Sequence, residues 1–153
     1  MAEVISGTEG KMHLNKKSAK KSYTIGTITL RILSVIAVVF GLLTLKAGGS
    51  VIFSIDSMRQ AEGNFVPFVV WFNFLSGFFY IAAGIGLWIQ KRWAVSLSVA
   101  LLISISITYI FFGIHVLNGG PYEMRTAYAM ALRTFMWVVI SIVSYKQIRL
   151  HPR

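Results

Sequence analysis

Four long apolar runs separated by short polar segments set the pattern of the chain. The first, TIGTITLRILSVIAVVFGLLTL, extends from Thr24 to Leu45 and is interrupted only by Arg31. The second covers Phe65 to Ile89, the third Trp93 to Val116, and the fourth about Ala127 to Ile148. At about 1.5 Å of rise per residue, each is long enough to cross roughly 30 Å of hydrocarbon. The pattern predicts an all-α, integral membrane four-helix bundle over residues 23–149, with spans at about 24–45, 65–89, 93–116 and 127–148. Residues 1–22 and 150–153 are polar and fall outside it as tails, the first of them expected to be mobile because it holds nothing to build a core. The first run is longer than a signal-peptide core of about 7–15 residues and lacks a small-residue cleavage site, so it reads as a retained span.

Within a span, polar and small residues recurring at helical spacing mark the packed face, because a lipid-facing surface is apolar throughout. Span two gives Asn73, Gly77, Tyr80, Gly84 and Trp88; span three gives Ala100, Ser104, Thr108, Phe111 and His115. Span four gives Met130, Arg133 or Thr134, Trp137, Ser141, and Ser144 or Tyr145. The connections differ in length. Spans two and three are joined by Gln90, Lys91 and Arg92 alone, a tight antiparallel hairpin, whereas 46–64 and 117–126 are longer. Gly119-Gly120-Pro121 signals a turn. SVIFSI at 50–55 is apolar and either extends helix one or folds back at the interface; Gly48-Gly49 permits a bend there.

Composition sharpens this picture. Of 153 residues, 56% are hydrophobic and 13% charged, and the mean hydropathy is +0.68, which places the chain with membrane proteins. The length leaves room for one bundle and no separate soluble catalytic domain. The formal net charge of +10 is concentrated in short segments. Lys11, Lys16, Lys17, Lys20, Lys21, Arg31, Lys91, Arg92, Lys146, Arg149 and Arg153 fall on one side of the predicted membrane; Lys46, Arg59 and Arg125 fall on the other. Excess Lys and Arg mark the cytoplasmic side, so both termini are expected there. Lys16, Lys17, Lys20, Lys21, Lys91 and Arg92 hold topology and rest on anionic lipid. With the charge so explained, nucleic acid is not an expected partner.

The outer half carries the candidate chemistry. Arg133 lies within span four, Asn73 within span two and His115 at the rim, with Asp56, Glu62, Tyr122 and Glu123 on the neighbouring loops. Arginine in a span is costly, from about 2.5 kcal/mol upward, and two readings account for it. In one, the Cβ, tilted toward the outer end of its helix, lets the side chain snorkel to the headgroups or pin the structure. In the other, Arg133 faces the interior and pairs with Glu123, Glu62 or Asp56, or receives an anionic ligand. Arg31, at comparable depth in span one, serves as a control. Asn73 reads as an interhelical hydrogen bond or a substrate contact, and His115 as an interfacial hydrogen-bonding group or a metal ligand. Met58, Met124 and Met130 with His115 make a weakly patterned soft-metal set, since Met124 and Met130 do not share a helical face.

Several classes are excluded by missing residues. Cysteine is absent, which removes disulfide and thiolate chemistry. Bundle haem proteins need paired axial histidines in the spans, and only His115 qualifies. Proton-coupled multidrug exchange needs a membrane-embedded carboxylate, and intramembrane aspartyl proteolysis needs two; no Asp or Glu lies in the four runs. No cofactor and no catalytic residue is therefore expected.

The layout of about 150 residues and four spans, with LRILSVIAVVFG in the first and NFLSGFFYIAAGIGLW leading into KRWA, resembles the DoxX-like small bacterial membrane proteins. The resemblance implies a four-helix bundle in the bacterial inner membrane, with some members accessory to quinol- or thiol-related redox systems. It assigns no functional residue. Three functions follow as expectations. The first is a non-catalytic accessory or structural subunit, whose partners are the bilayer, a membrane protein or a second copy. The second is a small transporter or permeation element for an anionic or metal solute, using Arg133, His115 and Asn73. The third is a quinone-associated subunit with Trp137, Tyr80 and His115 around the headgroup.

Overall fold

The computed structural model describes the backbone of residues 2–53 and 66–149, and the side chains of residues 12, 25–53 and 66–149. These residues form α1 (Ala2–Phe53), α2 (Pro67–Trp88), α3 (Arg92–Leu117) and α4 (Met124–Ser144), and α4 runs into a π-helical turn, Tyr145–Arg149. The described residues are thus all-helical, in the four elements expected. Ile25–Phe53, Pro67–Trp88, Arg92–Leu117 and Met124–Arg149 are each long and apolar enough to cross a membrane.

Two differences concern α1. Helical backbone begins at Ala2, so residues 2–22, expected as a tail without a core, are helical and continuous with the span. That segment holds no proline and several good helix formers, and the span nucleates it from its C-terminal side. At the other end the helix runs on to Phe53, which settles the 46–53 segment as an extension of helix one. Gly48 and Gly49 do not break it. Gly48 is buried beside Phe74, Ser50 Oγ donates to the Ala47 carbonyl at 2.9 Å, and Phe53 meets Phe74 edge-on at 5.7 Å.

The helices pack as a ring, α1 beside α2, α2 beside α3, α3 beside α4, and α4 back against α1. The closest seam is α1–α2. On α1 the buried residues among those described are Gly26, Leu30, Ser34, Ala37, Gly41, Thr44, Gly48 and Val51, which from Leu30 onward keep a 4-3-4-3 spacing and are mostly small. A Cβ added at Gly77 would lie 3.1 Å from the Gly41 carbonyl oxygen, and one at Gly84 2.9 Å from that of Ser34. Backbones therefore touch along the seam, as small residues allow where hydrophobic contrast between helices is weak.

The α2–α3 turn shows why three residues suffice. Gln90 takes a left-handed conformation (φ 55°), Lys91 N–H donates to the Gly86 carbonyl at 2.9 Å, and the C-terminal carbonyls of α2 are closed off. The same arrangement ends α3, with Gly119 (φ 76°) in the left-handed position and Gly120 N–H on the His115 carbonyl.

The packed faces of α2 and α4 agree with the expected stripes except at Trp88, which is exposed. On α3 the stripe is displaced. Ala94, Val95, Ser98, Leu101, Ile105, Thr108 and Phe112 are buried, while Ala100, Ser104 and Phe111 face outward. The physical reason is that a serine can satisfy its own hydroxyl: Ser104 Oγ donates to the Ala100 carbonyl at 2.9 Å, so it needs no neighbour. Phenylalanine serves equally on lipid-like and core faces.

Candidate functional site: an arginine-floored cleft

At the end of the bundle where α4 begins, the α1, α2 and α4 helices part to leave a cleft of about 190 Å³. Thr44, Gly48 and Val51 form its α1 wall, Val69 and Asn73 its α2 wall, and Glu123, Arg125, Thr126, Ala129 and Arg133 its α4 wall. Glu123 and Arg125 stand at the mouth. Arg133 and Asn73 lie deeper, nine and six residues along their helices, or roughly 13 and 9 Å at 1.5 Å per residue.

Arg133 is only 8% exposed. Its Nη1 lies 3.7 Å from Met130 Sδ, a weak acceptor, and its guanidinium carbon sits 5.9 Å from the centre of the Phe40 ring. Its Nε is buried without a hydrogen-bond partner. Asn73, 9% exposed, has its Oδ1 equally unmatched. A sulfur and a ring face are poor compensation for a desolvated cation, whose full hydrogen-bonding capacity is five donors. The side chain stays inside the bundle and does not run along its outer surface. Nor is an ion pair between Arg133 and Glu123 formed among the described residues.

Beneath the arginine the bundle is filled by aromatic rings. Phe40 packs against Tyr80 at 6.3 Å, and Tyr80 against Trp137 at 5.0 Å. Tyr80 and Trp137 are completely buried, with Ile140, Ala83 and Leu87 packed below. The Trp137 Nε1 and Ser141 Oγ atoms are also buried without partners. The cleft thus has a polar floor over a closed aromatic block. Unmatched buried polar atoms cost about 1–3 kcal/mol each, and they recur along the interior from Asn73 and Arg133 at the cleft to Trp137 and Ser141 deeper down.

The expected residues divide clearly. Arg133, Asn73 and Glu123 share the cleft, and Tyr80 and Trp137 form the block under it. His115 belongs elsewhere, at the end of α3, where its Nε2 lies 3.2 Å from the Pro121 carbonyl and its ring meets Phe68 edge-on at 6.5 Å. Trp137 is 13 residues into α4, about 20 Å from its start, so the set Trp137, Tyr80 and His115 does not close around one headgroup. Met130 is buried and Met124 exposed, which separates the two methionines of the soft-metal set. Among the described residues no cluster of His, Asp or Glu has the makings of a metal site. Lys91 and Arg92 are exposed at the α2–α3 turn. The side chains of Lys16, Lys17, Lys20 and Lys21, and all of Asp56, Met58 and Glu62, lie outside the described residues.

Sequence reasoning passed over the α1 wall. Phe40, Thr44 and Gly48 complete the site, and the signal was present in the small-residue repeat Ala37, Gly41, Thr44, Gly48. No protein-family model, no curated protein and no solved structure matches the chain.

Proposed function

We propose that the protein is a multi-pass protein of the bacterial cytoplasmic membrane, with both termini cytoplasmic, that binds a small anionic ligand in the cleft floored by Arg133. The observation that carries this is the buried guanidinium whose Nε has no partner, set in a space of about 190 Å³ beside the unmatched carbonyl of Asn73. A carboxylate or phosphate group in the cleft would give the Arg133 charge the counter-ion it lacks among the described residues. The membrane reading rests on four long apolar helices and on their exposed Ile, Val, Leu and Phe side chains, far more apolar surface than water tolerates. Its placement in the inner membrane rests on the charge asymmetry and the DoxX-like layout.

The closed block of Phe40, Tyr80 and Trp137 favours holding a ligand over passing it across. That observation keeps a second reading in play, a non-catalytic accessory subunit in which the occupied cleft reports to a partner.

The chain has no cysteine, which makes the test direct. Ala129, on the cleft wall, is replaced by Cys in intact cells or oriented vesicles, and its modification by anionic and cationic methanethiosulfonates is timed. The anionic reagent should react faster from the outer side, and Arg133→Gln should remove that preference. A cysteine inert to both reagents, or one indifferent to their charge, would sink the reading.

A further inference from the structure

The α1–α2 seam has a second concavity on the outer surface of the bundle, at the opposite end from the cleft. Val35, Val38, Val39, Gly84, Ile85 and Trp88 line most of a groove of about 220 Å³. Its floor is the close approach of α1 and α2 at Gly84, where an added Cβ would lie 2.7 Å from Val38 Cγ2 and 2.9 Å from the Ser34 carbonyl oxygen. Ser34 also contributes, but its Oγ donates to the Leu30 carbonyl at 2.7 Å, so the groove offers no free polar group. At its end stands Arg31, exposed, with its guanidinium carbon 5.6 Å from the centre of the Trp88 ring. The exposed Lys91 and Arg92 lie at the same end of the bundle, in the turn that follows Trp88.

We propose that this seam is a binding site for an anionic phospholipid, with one acyl chain in the Val35–Ile85 groove and the phosphate against Arg31. The inference rests on the membrane reading but not on the Arg133 cleft. The groove is apolar along its length and cationic at one end, which is the chemical profile of a lipid standing with its headgroup at the interface. Trp88 supplies the indole expected at that level. Arg31 is exposed beside the Trp88 ring in a cation–π contact, and a guanidinium with no carboxylate beside it among the described residues is suited to phosphate oxygens. An apolar partner helix, about 10 Å across, would strip water from Arg31 without supplying its counter-charge. A second copy of this chain would bring one more cation to the same place.

The full-length protein is reconstituted into phosphatidylcholine vesicles containing trace spin-labelled phosphatidylglycerol or phosphatidylcholine, and the immobilised lipid fraction is read by electron paramagnetic resonance. Phosphatidylglycerol should be preferred about fivefold, the effect of one well-placed basic residue near the surface. Arg31→Gln should bring the two lipids close to parity. Val35→Phe, which fills the groove and keeps the charge, should also reduce the immobilised phosphatidylglycerol. Equal affinities in the unaltered protein, or a preference that both variants leave intact, overturns the proposal. Val35→Cys tests for the alternative occupant: a disulfide-linked dimer that persists as the protein is diluted in lipid shows a second copy in the groove and overturns it too. A chain that fails to co-float with the vesicles overturns this proposal and the membrane reading together, whereas a co-floating chain without lipid preference overturns this proposal alone.

Discussion

Arg31 and Arg133 interrupt otherwise apolar runs at similar depth, and the bundle treats them in opposite ways. Arg31 is exposed on α1, with its guanidinium beside the exposed Trp88 ring. Arg133 is drawn into the interior, where sulfur, a phenyl ring and an unmatched Nε are its surroundings. The difference lies in the helix faces. Arg31 falls between the buried Leu30 and Ser34 on α1 and so points outward, while Arg133 shares the buried stripe of Met130, Trp137 and Ser141. One arginine is placed where its charge costs little, the other where it costs most. Only the second arrangement is costly enough to call for an explanation, and the proposed ligand supplies one.

The contrast can be broken most severely from below. Trp137→Ala removes the ring that packs on Tyr80 and closes the space under Arg133, and should destabilise the protein by about 3–5 kcal/mol, measured by unfolding in mixed detergent. An effect under about 1 kcal/mol would mean that the aromatic block does not support the cleft. Next in size is Gly77→Ala on the seam shared by both halves. Its Cβ would lie 2.7 Å from Leu45 Cγ and 3.1 Å from the Gly41 carbonyl, so a loss of about 1–3 kcal/mol is expected in the same assay.

Smaller changes isolate the Arg31 end. Gln90→Gly relieves a left-handed residue in the α2–α3 turn and should raise stability by about 0.5–1 kcal/mol without touching either arginine. Arg31→Met should alter stability by no more than about 0.5 kcal/mol, as expected of an exposed side chain. A larger loss there would show that Arg31 holds the fold and would remove it as the control for Arg133.

How far these features could be read from residues alone depended on whether polarity and burial coincide. They coincide on α4, where Arg133, Trp137 and Ser141 are both the polar and the buried residues, and on most of α2. They part on α3, where Ser104 satisfies itself against its own helix and faces outward. They part again at Trp88, whose amphipathic ring belongs at a boundary. The α1 wall was hidden for a different reason. Its packed face is marked by small size, and alanine, glycine and threonine in an apolar run attract less notice than a charge. Met130 beside the guanidinium is a same-helix neighbour that the stripe contained, whereas Phe40 under it depends on how the helices meet, which no single-helix pattern holds.

The central claim is that Arg133 serves a ligand and not the fold. The direct measurement is the unfolding free energy of Arg133→Met in the absence of added anions. Methionine is linear and flexible enough to occupy the same space, and it places no cation in the interior. If Arg133 is kept for binding, the variant should be more stable than the natural protein by about 2 kcal/mol, the cost of an arginine at depth. A variant less stable by a similar amount would show that Arg133 is a structural pin, and the cleft would lose its claim to be a site.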